Sequence, residues 1–179
     1  MKRIRHITAA AQADIYETIL LGLPRAVGQA ISQFESVRTV SQYLKRAESC
    51  LFLGRGPLYP LALEAALKLK ELSYIHAEGF AAGEMKHGPI ALIEDPGLPV
   101  ICLLDHHELS AKTISKTLKE AEARDCRHHS RSPHPSAAEK VDFATHKIVI
   151  EDCNPVISPV VLAIPAQILA YLTAKLKGT

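Results

Sequence analysis

The chain has 179 residues, 47% of them apolar and 22% charged, with a net charge of +2. That length is enough for one domain or slightly more with a real core, and the composition is ordinary for a globular protein. The near-neutral balance gives no global reason to bind a polyanion. Four cysteines, Cys50, Cys102, Cys126 and Cys153, lie far apart and form no Cys-x-x-Cys pair. Cys50 and Cys102 border or sit inside apolar runs and read as small buried hydrophobes, which fits a reducing cytoplasm. The basic start Met1-Lys2-Arg3-Ile4-Arg5 precedes an apolar run, Ile7 to Ala11, too short for a signal core, so export is not expected.

In chain order, residues 10–48 read as two helices, broken near Gly22-Leu23-Pro24 and again around Phe34 to Val37. They lead into a domain expected over 49–179. Its first strand is Cys50-Leu51-Phe52-Leu53, ending in the turn Gly54-Arg55-Gly56-Pro57. A long helix from Pro60 to His76 follows, with Pro60 suited to its first turn. After a glycine-flanked loop, Ile90 to Ile93 is a short apolar segment and Pro99 to Leu104 a second strand. Glu108 to Ala123 has the pattern of an amphipathic helix with lysines outward at 112, 116 and 119. Lys147-Ile148-Val149-Ile150 is a third strand, and an apolar helix from about Pro155 to Lys177 closes the sequence.

The run Val156 to Leu172 is nearly the length of a membrane span, but it carries Ser158, Pro159, Pro165 and Gln167. It reads as a buried helix packed on a sheet, so no membrane partner is expected. Strands alternating with helices of this length imply βαβ units. The expected class is α/β, in three layers, with a parallel sheet flanked by helices on both faces.

Between Arg124 and Ser132 such a fold should supply another apolar strand, yet the sequence reads Arg-Asp-Cys-Arg-His-His-Ser-Arg-Ser. Cys126, His128, His129 and His134 match no standard zinc spacing, so no metal is expected. The basic residues lack aromatic stacking partners, so no nucleic acid is expected either. The segment reads as a solvated loop, or as a local change of reading frame. It is expected to be irregular and to leave a gap or an exposed edge in the sheet, because buried charges without partners are costly.

Two places carry residues able to do chemistry. On the Pro60–His76 helix, Glu64, Lys68 and Glu71 stand at i, i+4 and i+7 and share one face, on a helix otherwise mostly apolar. An ordinary surface ion pair would explain them, but so narrow a charged stripe points into a cleft. In Gly83-Glu84-Met85-Lys86-His87-Gly88-Pro89, two glycines and a proline shape a loop around His87, a residue type suited to moving protons. A histidine there could also simply cap or pack. The Gly54-Arg55-Gly56 turn joins a strand to a helix, where free N–H groups could hold an anion, and a tight turn explains it equally well. The stripe and this turn are expected to line one cleft at the carboxyl edge of the sheet.

Phe52–Gly56, Leu63–Glu78 and Ala82–Pro89 together resemble the second sugar isomerase (SIS) domain in the isomerase half of the glucosamine-6-phosphate synthases, the glutamine–fructose-6-phosphate aminotransferases. The resemblance is strong over Leu51 to Leu104 and extends to Ile164–Tyr171. It implies a module that acts on a sugar phosphate of the fructose 6-phosphate class, without a cofactor. Glu71 would shuttle a proton between sugar C1 and C2, Lys68 would assist, and His87 would open the ring, reaching into the site of a neighbouring subunit of a homodimer. Gly54, Arg55, Gly56 and Glu64 would contact substrate. The family's glutaminase cysteine, serine- and threonine-rich phosphate loop and tail lysine have no counterparts in these residues. An incomplete isomerase is therefore expected, with a non-catalytic sugar-phosphate-binding or dimerisation module as the alternative.

Overall fold

A computed structural model describes residues 9–94, 98–104, 112, 113, 116, 117, 119, 128–132, 144–150 and 153–179. Its elements are α1 (Ala9–Ser32), α2 (Phe34–Leu44), β1 (Ser49–Gly54), α3 (Leu58–Ser73) and β2 (His76–Ala81). Two short 3-10 turns, Met85–His87 and Pro89–Glu94, precede β3 (Val100–Leu103), β4 (His128–Ser132), β5 (His146–Val149) and α4 (Ser158–Lys177). The five strands form one sheet in the order β2-β1-β3-β4-β5, every neighbouring pair parallel.

Alternation along the central strands explains why the sheet is covered on both faces. Cys50 and Phe52 of β1 join Ile101 and Leu103 of β3 in one core, with buried residues of α1 to α4. Leu51, Leu53, Val100 and Cys102 point the other way, against Ala82, Met85, Ile93 and Leu98. A strand buried on both faces must be apolar at every position, which is why β1 and β3 stand out in the sequence. On the second face Thr117, at a helical position, donates its hydroxyl to the carbonyl of Ala82 (3.0 Å). Lys112, Lys116 and Lys119 are exposed, as the amphipathic pattern requires.

The C-terminal helix α4 is long and apolar enough to cross a membrane, but half of that stretch is buried within the molecule. It packs against α1, α2 and α3. It is a core helix of the fold, and its burial comes mostly from other helices.

Four expectations are corrected. First, α1 runs unbroken through Gly22 and Pro24, and the only break falls at Gln33. An internal proline costs a helix one hydrogen bond, and here Ala26 and Ala30, buried in the core shared with α4, hold the helix together across it. Second, α3 ends at Ser73, because Tyr74 caps it in the left-handed conformation (φ 55°) and the chain turns into β2. Third, β2 itself has no apolar run: it is an edge strand with only Ala77 fully buried. Gly79 is there because α3 passes so close that a Cβ would lie 2.8 Å from the Leu63 nitrogen.

The fourth correction is the largest. His128–Ser132 is neither irregular nor a gap but an interior strand, bonded to β3 on one side and β5 on the other. Both neighbours present unpaired backbone groups toward this position, and main-chain N–H and C=O groups pair whatever side chains they carry. The sheet has no missing strand for a change of reading frame to explain. Cys126, His134 and residues 124–127 lie outside the described residues.

Candidate active site

The chemistry-bearing side chains are set by α3, which starts at the carboxyl end of β1 and finishes where β2 begins. It therefore runs back along the sheet, with its last turn at the amino end. Lys68 reaches both carboxylates of the stripe. Its Nζ donates to Glu71 Oε2 at 2.7 Å and stands 3.6 Å from Glu64 Oε1. The lysine side chain is 33% exposed and each glutamate 48%. The hydrogen bond to Glu71 is the largest cause that pushes the Lys68 ammonium above its ordinary 10.5; desolvation, next in size, opposes it, and the charges of Glu71 and Glu64 add to the rise. Lys68 is thus a fixed cation at neutral pH, a donor and not a base. Glu71 presents an accessible carboxylate, oriented by that donor.

The glycine turn lies elsewhere. The chain steps from β1 out to β2 and then back across β1 to β3, so the carboxyl ends of β1 and β3 form the switch point of the sheet. Gly54, Arg55 and Gly56 sit there. With α3 rising about 1.5 Å per residue, Glu64 is about 9 Å and Glu71 about 20 Å along the axis from Leu58. The turn and the full stripe therefore do not line one cleft. Both glycines also have reasons within the fold. A Cβ on Gly54 would collide with the Leu58 carbonyl and lie 2.8 Å from the Tyr59 nitrogen, and Gly56 has φ +56°. Arg55 donates to the Thr113 hydroxyl, which ties the turn to the helical residues across the second face.

His87 is exposed, on the 3-10 turn that follows β2 at the carboxyl end. Its backbone N–H is held by the Glu84 carbonyl (3.0 Å), and Gly88 follows at φ +151°. A six-residue strand, about 20 Å long at roughly 3.3 Å per residue, separates that end from the start of β2, so His87 and Glu71 of one chain lie toward opposite ends of the sheet.

One feature of this end has no signal in an apolar-run reading. A cavity of about 690 Å³ opens at the amino end of the sheet, lined by Arg46, Glu48, His76, Glu78 and apolar residues including Leu92 and Leu98. His76 and Glu78, two residues apart on β2, meet on its wall, Nε2 to Oε1, at 3.4 Å. The i,i+2 spacing of these two residues was the available clue, legible only once β2 is known to be a strand.

A parallel sheet in this strand order, helices on both sides and a charged helix after the first glycine turn define the class, and residues 43–128 match the SIS domain. The chain is 46% identical over 143 residues to a glutamine–fructose-6-phosphate aminotransferase (isomerizing) of Sphingobium yanoikuyae, covering 80% of this chain and 90% of that sequence. It belongs to that aminotransferase family. A relative from Zymomonas mobilis is 45% identical over 97% of this chain, which spans only 28% of that protein. In the Rhizobium meliloti relative the share is 26%, so the chain spans about a quarter of the length of these longer relatives. Among solved structures, the C-terminal domain of the Francisella tularensis glucosamine-fructose-6-phosphate aminotransferase superposes with a TM-score of 0.87 at 35% identity, over 97% of this chain and 48% of that one. Tagatose-6-phosphate ketose/aldose isomerase from Escherichia coli shares the fold at a TM-score of 0.72 and 20% identity, over 87% of this chain and 44% of that one.

Proposed function

We propose that this chain is a sugar-phosphate isomerase module of the amino-sugar-forming kind, acting on fructose 6-phosphate in the cytoplasm as a homodimer. The observation that carries the reading is the Lys68–Glu71 pair, 2.7 Å apart on a half-exposed helix face. A 1,2-shift needs one carboxylate able to take a proton from one sugar carbon and return it to the next, with a cation beside it for the negative oxygen that develops. Glu71 is that carboxylate and Lys68 that cation. Ring opening needs a group that gives and takes a proton near neutrality, and His87 is the accessible histidine on a shaped loop. Because His87 stands far from Glu71 of its own chain, a second copy brings the two together. Glu64, 3.6 Å from the Lys68 ammonium, joins the substrate-contacting set under this reading, whereas Gly54, Arg55 and Gly56, at the far end of α3, do not reach a sugar phosphate held at Glu71 of their own chain.

The purified chain is expected to bind fructose 6-phosphate weakly by calorimetry. It is expected to form no glucosamine 6-phosphate with glutamine or ammonium, since lost positioning alone removes many powers of ten in rate. Turnover that disappears in Glu71→Gln would show that the half-site is a complete enzyme. Binding that is unchanged in both Lys68→Ala and Glu71→Gln would remove the assignment of the site.

A further inference from the structure

We propose that the cavity at the amino end of the sheet is a second small-molecule site, taking a compound that carries both an ammonium and an anionic group. It is separate from the Lys68–Glu71 pair. Ala77 of β2 joins the core that α3 packs on, so its neighbour Glu78 faces the other side of the sheet. The cavity that Glu78 lines therefore opens on the face away from α3, with the sheet between it and Glu71.

Strand register explains why this face opens where it does. Ser49 lies opposite His76, and Leu51 opposite Glu78, on the neighbouring strand. Further along, Leu53 lies opposite Phe80, and there Met85 and Ile93 close the core. The face is apolar toward the carboxyl end and turns polar toward the amino end, where a dry core would leave these side chains without partners. Buried Leu51 and Leu98 supply an apolar floor. The volume, about 690 Å³, lies within the roughly 300–1,000 Å³ of small-molecule sites.

The charges name the ligand. Arg46 and Glu48 enter from the turn between α2 and β1, both exposed, and among the described residues neither has an ion-pair partner. Glu78 turns one oxygen to His76 and keeps the other for a ligand. A guanidinium matches a phosphate or carboxylate, and the Glu48 and Glu78 carboxylates match an ammonium. An anion alone would face two carboxylates, and an amine alone would leave Arg46 unmatched. A compound with both groups answers all three and lays its C–H surface on the leucines. Amino-sugar phosphates and free amino acids share that chemistry.

An NMR titration of the isotope-labelled full chain tests this with four probes. Glucosamine 6-phosphate and glutamine carry both groups, whereas fructose 6-phosphate and glucosamine carry one each. At least one two-group probe should shift the amides of residues 46–48, His76 and Glu78, and whichever does so identifies the source. Each single-group probe should bind there about tenfold more weakly or worse. Arg46→Ala and Glu78→Gln should each weaken the binding about tenfold, with urea midpoints nearly unchanged because neither side chain is buried. Shifts confined to the surroundings of Lys68 and Glu71 would overturn this site and leave the isomerase reading standing, and shifts confined to the cavity would do the reverse. Silence of the cavity amides with both two-group probes would overturn the site. So would equal binding of fructose 6-phosphate there, or binding that survives both substitutions.

Discussion

The Gly54–Gly56 turn and the charged face of α3 are adjacent in sequence and look equally functional there, yet the structure treats them differently. Each glycine of the turn is demanded by the fold: one by the closeness of α3, the other by its positive φ. Nothing in the packing demands Glu64, Lys68 and Glu71, which are half-exposed and could be exchanged for other helix formers. A residue the fold already explains says little about chemistry. A charged cluster the fold could do without says more.

That contrast predicts a ranking of effects on folding free energy. Gly54→Ala should be the most damaging, about 3 kcal/mol, because the added methyl meets α3 backbone that cannot step aside. Gly79→Ala should behave alike, and urea midpoints at constant m-value are the check. If Gly54→Ala is neutral, the turn is not fixed by packing and its ligand-binding reading gains weight.

Arg55→Ala should cost about 1 kcal/mol through loss of the Thr113 contact. A double-mutant cycle with Thr113→Val measures the coupling, and a coupling of zero would release Arg55 for ligand binding.

Glu71→Gln should change stability by less than about 0.5 kcal/mol, since exposed ion pairs contribute little and a carboxylate is poorly placed in the last turn of a helix. It should also bring the Lys68 pKa back down toward 10.5, because the Glu71 hydrogen bond is the largest cause of its rise. NMR of the lysine side chain during alkaline titration reads this directly. With the folded pKa raised, the Lys68 contribution to stability is present below 10.5 and disappears as pH rises through the folded value.

The smallest effect concerns a titratable group that burial controls. His146 on β5 packs at a tilt of 48° against Tyr43 with ring centroids 4.5 Å apart, and desolvation lowers its pKa below 6.5. The unfolded chain then binds more protons than the folded one as pH drops below 6.5. Stability is full above that value and declines as pH falls toward the folded pKa. His146→Phe should flatten that part of the stability–pH curve, and an unchanged slope would assign it to another group.

The sequence was most readable where one side-chain pattern and one environment coincided. β1 and β3 are buried on both faces and so are apolar throughout, and α3 and α4 are long enough for their composition to mark them. Glu64, Lys68 and Glu71 could be placed together from helical spacing alone, as the 2.7 and 3.6 Å contacts show. β2 and β4 were not readable, because an edge strand has little to bury, and an interior strand can be recruited by its neighbours' backbone groups without an apolar run of its own.

By itself, then, the sequence determined the α/β class, the parallel sheet and the residues of the charged face, because hydrophobic period and residue type act locally along the chain. Only the tertiary structure decided that α1 survives Pro24, that β4 is an interior strand and that the glycine turn is shaped by close packing and a positive φ. Those outcomes depend on which backbone lies next to which. Residues distant in sequence settle that, through strand register and close helix–strand contact, and no window along the chain contains them.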